Sequence, residues 1–258
     1  MSHSFKTIAV IPARFGSTRF PGKPLADILG RPMLSWVLDA CTSCKDLSEI
    51  IVATDDPRIA KVAQEHKHSR VIPVTVEMTD PNLATGTDRV RTALGSRECD
   101  LVLNIQGDEP LLETTALTDL IELMKGDSRI SMGTLATQLE PSEISNPNTV
   151  KVLVNEEKHA TYFSRFPIPF SRVPAADHDH NPMPGLFKHI GLYAFRPAFL
   201  SQFCNWPQGD WEKAESLEQL RVIQRGFQIG VHAGHYPLIA VDHASDIPKV
   251  ESVLRSRM

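Results

Sequence analysis

The sequence has little of what marks a membrane protein or a nucleic-acid binder. No apolar run approaches the roughly 20 residues needed to cross a bilayer, and the N-terminal "MSHSFKTIAV" has no signal-peptide core or cleavage site. The 258 residues carry a formal net charge of −4, which argues against general nucleic-acid binding. We therefore expect a cytoplasmic protein with no membrane insertion and no nucleic-acid partner.

Cysteine is also scarce, with four residues in the chain. Cys41 and Cys44 form a C-x-x-C pair, but no second pair and no close pair of histidines completes a zinc site. The pair falls late in a predicted helix, "PMLSWVLDACTSC". We interpret these thiols as buried or incidental.

Two common phosphate-binding motifs are missing as well. Gly16 and Gly22 lie too far apart for a Walker loop, and Lys23 is followed by Pro24 instead of a hydroxyl residue. The dinucleotide pattern G-x-G-x-x-G is absent. What is present is "IPARFGSTRFPGKPL", a loop rich in glycine and cations directly after the apolar run "TIAVI". Its cations could bind a triphosphate, although a basic surface loop has the same composition.

Strand and helix patterns alternate through the first half of the chain. The predicted strands are "TIAVIP", "EIIVAT", "RVIPVTV" and "CDLVLNIQ", and the predicted helices begin near Pro32, Pro57, Gly86 and Thr114. This alternation predicts an α/β fold with an open, doubly wound, mostly parallel, Rossmann-like sheet.

The second half has a different pattern. We predict strands in "ISMGTLAT", "TVKVLVN", "GLYAFR" and "QIGVHAGHY". We predict one helix over "WEKAESLEQLRVIQRG" and a terminal helix in "ASDIPKVESVLRSR". A proline-rich interval near residues 165 to 187 is expected to cover a site or to contact a partner.

Asp108 is the first candidate metal ligand. It follows the strand "LVLNIQ" in "GDEP", and ligands of open α/β sheets bind beyond the carboxyl ends of strands. A carboxylate there can hold Mg²⁺ together with phosphate oxygens, while a turn or cap residue is the alternative. The cationic loop at the same edge of the sheet favours the metal, because triphosphates arrive with Mg²⁺.

Several motifs, in order, resemble the CMP-Kdo synthetases (3-deoxy-manno-octulosonate cytidylyltransferases). They are "IPARFGSTRFPGKPL", "ATGTDRV", "NIQGDEP", "YFSR", "KHIGLYAFR" and "LEQLR". The resemblance runs from about residue 8 to the C-terminus. It implies transfer of CMP from CTP to the sugar acid Kdo with release of pyrophosphate, Mg²⁺ as cofactor, a homodimer and a role in lipopolysaccharide synthesis. It also implies a single nucleotidyltransferase domain over residues 1–258, in which residues 130–200 contribute to the sugar pocket and the dimer contact.

The resemblance assigns roles to individual residues. The implied nucleotide-binding residues are Arg14, Ser17, Arg19, Lys23, Gly86, Thr87, Arg89 and Gln106. The implied sugar-binding residues are Arg165, His189, Tyr193, Glu218, Gln219 and Arg221. Asp108 and Asp242 are the implied metal ligands, and Arg14, Lys23, Asp108 and Asp242 form the implied catalytic set.

Some of these residues have simpler interpretations. Arg165 suits a sugar carboxylate but could form a surface salt bridge, and His189 could be a histidine at the edge of the core. Glu218 and Gln219 fall in the middle of a predicted helix, where a solvated surface is the alternative. His178 and His180 are interpreted as solvated loop residues without a role.

The resemblance predicts in-line attack of the anomeric hydroxyl of the sugar on the α-phosphorus of CTP, with one or two Mg²⁺ ions between Asp108 and Asp242. The chain departs from the family near Asp242, where "AVDHASD" replaces a glycine and a Thr-Pro pair, and in "AADHDHNPMPG". These departures leave 8-amino-Kdo as an alternative substrate. Another sugar acid such as sialic acid, and a non-catalytic nucleotide-binding regulator, are the remaining alternatives.

Overall fold

The computed structural model describes residues 5–16, 20–66, 72–170 and 184–257. The strands within these ranges are β1 (Thr7–Ala13), β2 (Asp27–Ile28), β3 (Arg31–Pro32), β4 (Glu49–Thr54), β5 (Val74–Met78), β6 (Leu101–Asn104), β7 (Met132–Thr137), β8 (Lys151–Val154), β9 (Ala160–Ser164), β10 (Leu186–Phe195) and β11 (Ile229–Ala233).

The helices cover the faces of the sheet. They are α1 (Met33–Ser43), α2 (Pro57–Glu65), α3 (Gly86–Leu94), α4 (Thr114–Gly126), α5 (Pro197–Asn205), α6 (Asp210–Glu215), α7 (Leu220–Gln224) and α8 (Ile247–Arg257). None of the helices in the described ranges is long and apolar enough to span a membrane.

The central strands lie in the order β5-β4-β1-β6-β10-β7-β11. β1 is parallel to β4 and β6, β4 is parallel to β5, and β11 is parallel to β7. β10 runs antiparallel to β6 and β7, and β8 and β9 extend from it as an antiparallel pair. The predicted α/β fold with a mostly parallel, doubly wound sheet is confirmed. Strand order reverses at β1, so β1 and β6 mark the point where ligands bind in such sheets.

Alternating side chains of the central strands build the two halves of the core. Along β1, Ala9 and Ile11 pack into one apolar cluster, while Ile8 and Val10 pack into the other. Because successive side chains point to opposite faces, a strand covered on both sides is apolar throughout. This is why "TIAVIP" is a continuous apolar run.

Local capping chemistry fixes where the helices begin. Asp56 accepts a hydrogen bond from the backbone of Arg58 at the start of α2. At the start of α3, Thr85 and Asp88 form a reciprocal capping box. The predicted strand "EIIVAT" and the helices "GTDRVRTAL" and "TTALTDLIELMKG" have the predicted bounds.

The single helix predicted over residues 211–226 is wrong. The chain forms α6 and α7 with a turn between them, because Ser216 adopts a left-handed conformation with φ of 52°. Glu218 and Gln219 therefore lie in a turn and not on a solvated helix face. The prediction also missed α5 and β9, and the strand predicted as "GLYAFR" begins earlier, at Leu186.

We predict that Ser216→Val destabilises the fold. A β-branched residue at positive φ is strained, and the left-handed conformation costs roughly 1–2 kcal/mol per residue. Urea unfolding should show a loss of that size, while Ser216→Gly should stay within about 0.5 kcal/mol of wild type. Lys158→Val, at another positive φ (63°), is a second test of the same strain and should lose a similar amount of unfolding free energy. A Ser216→Val variant as stable as wild type would contradict the break between α6 and α7.

Candidate active site

The cationic loop after β1 closes on itself through a glycine. Gly22 N donates to Phe15 O at 2.9 Å, and Gly22 has a φ of 71°. A Cβ at this position would lie 2.9 Å from the Phe15 ring, so only glycine fits without a shift. This turn leads directly into the 3₁₀ segment Lys23–Leu25 and sets the direction of Lys23. Ser17 and Arg19 lie outside the described residues.

Lys23 lies between two carboxylates from distant parts of the chain. Its Nζ contacts Asp108 Oδ2 and lies 3.8 Å from Asp242 Oδ1. The Lys23 side chain is 13% exposed, against 26% for Asp108 and 38% for Asp242. The ammonium offsets the repulsion that these two carboxylates would otherwise exert on each other.

Backbone hydrogen bonds bring the two carboxylates together. Val241 N donates to Asp108 O at 2.9 Å, which ties the segment before Asp242 to the loop after β6. Asp246 Oδ2 accepts from the backbone N–H groups of Asp242 (3.0 Å) and His243 (2.9 Å). The altered turn "AVDHASD" is therefore held by the Asp246 carboxylate.

Asp108 and Asp242 have the chemistry of a divalent-cation site. Both supply hard oxygen donors, and both already face one positive charge, the ammonium of Lys23. Among the described residues no group of three or more His, Cys, Asp or Glu side chains forms a metal site. A cation here would take its remaining ligands from phosphate oxygens and water.

A first cavity lies over the carboxyl ends of β1 and β6, and we call it the nucleotide cleft after the predicted role of its residues. Its lining residues come from the loop after β1, the start of α3 and the loop after β6: Pro12, Ala13, Arg14, Lys23, Pro24, Leu83, Ala84, Thr85, Gly86, Arg89, Gln106, Gly107 and Asp108. The structure thus brings together Arg14, Lys23, Gly86, Arg89 and Gln106, which were predicted from three separate motifs.

Within the nucleotide cleft, Arg89 is the most buried cation. Its guanidinium donates to Thr79 Oγ1. Burial lowers the pKa of Arg89, and the charge of Asp55 opposes this effect. Arg14 is exposed and also lines the cleft, so the two guanidinium groups offer positive charge at different depths.

A second cavity of about 750 Å³, the sugar cavity, adjoins the nucleotide cleft. Gln106 lines both, and Asp242 lines the sugar cavity close to the junction. The sugar cavity also includes four residues with predicted sugar-binding roles: His189, Tyr193, Glu218 and Gln219. The Lys23–Asp108–Asp242 cluster therefore lies where the two cavities meet.

His189 is held as a neutral ring at the wall of the sugar cavity. Its Nε2 lies 3.0 Å from Thr134 Oγ1, whose hydrogen points toward Ile190 O (3.0 Å) and Leu192 O (2.8 Å). Since Thr134 donates to these carbonyls, it accepts from Nε2–H, which leaves Nδ1 of His189 as the acceptor. Burial lowers the pKa of His189 to about 3.

Glu218 and Gln219 offer different groups to the cavity. Thr87 Oγ1 donates to Glu218 Oε1. Burial raises the pKa of Glu218, and the hydrogen bond from Thr87 opposes this effect. Gln219 is buried, and its Nε2 has no hydrogen-bond partner among the described residues. A ligand hydroxyl would satisfy that donor.

The structure does not bring Arg165 or Arg221 to the sugar cavity. The Arg165 guanidinium donates to Glu215 O (2.9 Å) and Pro147 O (3.0 Å). Arg221 is buried and forms a two-point ion pair with Glu212 at 2.6 and 2.7 Å. Arg221 therefore has a packing role between α6 and α7, because its guanidinium is already satisfied.

Sequence reasoning missed five charged residues of the sugar cavity: Glu109, Glu143, Lys188, Asp246 and Lys249. Lys188 Nζ contacts Glu143 Oε1 at 2.6 Å, and Lys249 of α8 lies on the same cavity. Glu109 is buried there, and burial and then the charge of Asp108 raise its pKa to about 8. Lys188 stands directly before His189 in "KHIGLYAFR", so the motif contained a signal for it.

The cysteines take no part in either cavity. Cys41 and Cys44 are buried free thiols in and after α1. Burial raises the pKa of both, which keeps them protonated. Their interpretation as core thiols agrees with this environment.

The sheet order, the cationic loop after β1 and the acidic residues at the neighbouring strand end define a nucleotidyltransferase of the α/β class. Comparison with known proteins then identifies the family within this class. Residues 8–229 match the family described as cytidylyltransferase.

Full-length relatives have more specific names. A 3-deoxy-manno-octulosonate cytidylyltransferase of Bdellovibrio bacteriovorus is 44% identical over 252 residues, covering 98% of this chain and 99% of that one. An 8-amino-3,8-dideoxy-manno-octulosonate cytidylyltransferase of Shewanella sediminis is 41% identical over 250 residues, covering 95% and 97%. A solved CMP:2-keto-3-deoxy-manno-octonic acid synthetase complexed with CTP superposes with a TM-score of 0.88 at 35% identity, covering 98% and 100%. The chain belongs to the 3-deoxy-manno-octulosonate cytidylyltransferase family, as its motifs indicated.

We predict that His189 makes the protein less stable in acid. The pKa of its ring is about 3 in the fold against 6.5 in the unfolded chain, so the unfolded chain binds more protons between these values. Stability is fully retained above pH 6.5 and falls as the pH drops toward 3. Between pH 7 and pH 5, urea unfolding of wild type should lose about 2 kcal/mol more than that of His189→Gln. An equal loss in both proteins would contradict the buried neutral ring.

Proposed function

We propose that this protein transfers CMP from CTP to 3-deoxy-manno-octulosonate (Kdo), giving CMP-Kdo and pyrophosphate for lipopolysaccharide synthesis. The observation that carries the proposal is the junction of the two cavities, where Lys23, Asp108 and Asp242 meet. A nucleotide in the cleft would have its phosphates beside this cluster, and a sugar acid in the neighbouring cavity would face the same phosphates.

The charges of the two cavities suit these substrates. Arg14, Lys23 and Arg89 supply positive charge to the nucleotide cleft, as a triphosphate requires. In the sugar cavity Lys188 and Lys249 are the cations that could bind a sugar carboxylate. They lie among the carboxyl residues Glu109, Glu143, Glu218, Asp242 and Asp246. The buried N–H of Gln219 and the Nδ1 acceptor of His189 would bind sugar hydroxyls.

The reaction is an in-line displacement at the α-phosphorus. The oxygen of the anomeric hydroxyl bonds to phosphorus and gives its proton to solvent water. The bond from phosphorus to the bridging oxygen breaks, and pyrophosphate departs with the electron pair. Arg14 and Lys23 stabilise the charge that develops on the phosphates. Positioning of the two substrates supplies much of the remaining acceleration.

We propose that Asp108 and Asp242 hold Mg²⁺ when CTP is bound. The ion would neutralise phosphate charge and lower the pKa of the attacking hydroxyl. Lys23 Nζ lies beside both carboxylates and offsets part of their negative charge. CTP would draw the ammonium toward phosphate and release both carboxylates to the metal.

A cytoplasmic homodimer is the proposed setting of this activity. β9 pairs only with β8 among the described strands, and it forms an edge of the sheet. Phe166 (74% exposed) and Phe170 (88% exposed) follow this edge. Large exposed apolar side chains beside an open strand favour contact with a second copy. Residues 130–200, predicted to form the sugar and dimer subregion, include this edge and part of the sugar cavity.

The proposed function is tested by supplying each nucleoside triphosphate with Kdo and Mg²⁺ and measuring pyrophosphate release. We expect release with CTP and Kdo together, and none without the sugar. Release with another sugar acid but not with Kdo would replace the substrate, and no release with any pair would favour a nucleotide-binding regulator.

We predict that Asp108→Asn lowers kcat at least a hundredfold, equivalent to about 2.7 kcal/mol of barrier. An amide keeps the shape of the side chain but loses the charge that a divalent cation needs. Asp39→Asn is the matched control, since Asp39 pairs with Arg31 away from both cavities. Turnover of Asp108→Asn within tenfold of wild type, with an unchanged unfolding midpoint, would remove the metal-binding role.

We also predict that Kdo is preferred over 8-amino-Kdo, the alternative raised by the Shewanella sediminis relative. An added ammonium would meet Lys188 and Lys249 in the sugar cavity. Two carboxylates of the cavity already have partners, since Glu143 pairs with Lys188 and Asp246 accepts from two backbone N–H groups. The ratio of kcat/KM values should favour Kdo at least tenfold, about 1.4 kcal/mol. A preference for the amino sugar would reverse the assignment.

A further inference from the structure

A chain of four side chains runs beneath the junction of the two cavities. Gln106 Nε2 donates to Asn104 Oδ1 at 3.2 Å, and Asn104 Nδ2 donates to Thr87 Oγ1 at 3.1 Å. Thr87 Oγ1 in turn donates to Glu218 Oε1. All three hydrogen bonds run in the same direction, from the amide of Gln106 to the carboxyl group of Glu218.

The two ends of the chain face ligands. Gln106 lines both cavities, and Glu218 lines the sugar cavity. The four residues come from three elements that are distant in sequence: the end of β6 and the loop after it, the first turn of α3, and the turn between α6 and α7. The chain therefore connects the floor of the nucleotide cleft to the wall of the sugar cavity.

Asn104 is the central link. It is 1% exposed, and it lines neither cavity. Its oxygen and its amino group are both used by the chain, so a flip of its amide would place like groups against each other. A fully satisfied buried polar network holds one arrangement, because any rearrangement leaves a buried group without a partner.

We propose that Asn104 is a positioning residue that couples the nucleotide cleft to the sugar cavity. When a nucleotide fixes the orientation of Gln106, Asn104 and Thr87 hold Glu218 in the orientation that binds the sugar acid. The proposal rests on the proposed function, since it takes CTP and Kdo as the two ligands. Asn104 contacts neither ligand itself.

The test measures the coupling directly by calorimetry. The dissociation constant of Kdo is measured with and without saturating α,β-methylene-CTP, which cannot release pyrophosphate. In wild type we expect the nucleotide to tighten Kdo binding at least fivefold, and Kdo to tighten nucleotide binding by the same factor, because coupling is reciprocal. In Asn104→Leu, which has a similar volume but no hydrogen-bonding group, the factor should fall below twofold.

The matched control is Thr7→Val. Thr7 is fully buried on β1, and its hydroxyl has no hydrogen-bond partner among the described residues. Removing this hydroxyl changes a buried polar group outside the chain of four, so coupling should remain as in wild type. If Asn104→Leu does not fold, Thr87→Val breaks the next link and should reduce the coupling in the same way.

The outcomes distinguish failure of the coupling proposal from failure of the proposed function. If wild type binds both ligands without coupling, or if folded Asn104→Leu keeps the wild-type factor, the proposal is overturned. If Kdo does not bind at all, and no CMP-Kdo forms in the pyrophosphate assay, the proposed function fails instead. Lower affinity in Asn104→Leu with unchanged coupling would assign Asn104 a purely structural role and also overturn the proposal.

Discussion

The contact of Lys23 with Asp108 and Asp242 is the interaction on which the architecture of the site depends. Two carboxylates this close would repel each other, and the ammonium turns that repulsion into a link between the first loop, the loop after β6 and the segment before α8. The backbone bond from Val241 to Asp108 also joins the last two segments.

The fold explains why this cluster lies between two cavities. The reversal of strand order at β1 opens a crevice above β1 and β6, which becomes the nucleotide cleft. The antiparallel β10 inserts beside β6 and carries His189 and Tyr193 to the neighbouring cavity. One strand running against the others thus adds a second cavity beside the first.

The sequence was most informative where chemistry is local. Apolar runs predicted the buried strands, and the segment "GTDRVRTAL" predicted α3, because both patterns depend on neighbouring residues. It was misleading where the local structure depends on one backbone dihedral angle or on a partner that is distant in sequence. Nothing in "WEKAESLEQLR" shows that Ser216 takes a left-handed conformation, which moves Glu218 and Gln219 into a buried turn. Likewise, Arg221 was predicted to bind the sugar, and nothing in the sequence shows that its guanidinium forms an ion pair with Glu212.

At the centre of the account is a competition between the Lys23 ammonium and a divalent cation for Asp108 and Asp242. It is tested most directly by the affinity for Mn²⁺, measured by electron paramagnetic resonance in wild type, in Lys23→Met and in the control Lys249→Met. Because the ammonium competes for the same carboxylates, Lys23→Met without nucleotide should bind Mn²⁺ at least tenfold more tightly than the other two proteins, a difference of about 1.4 kcal/mol. Equal affinities in all three proteins would contradict the account.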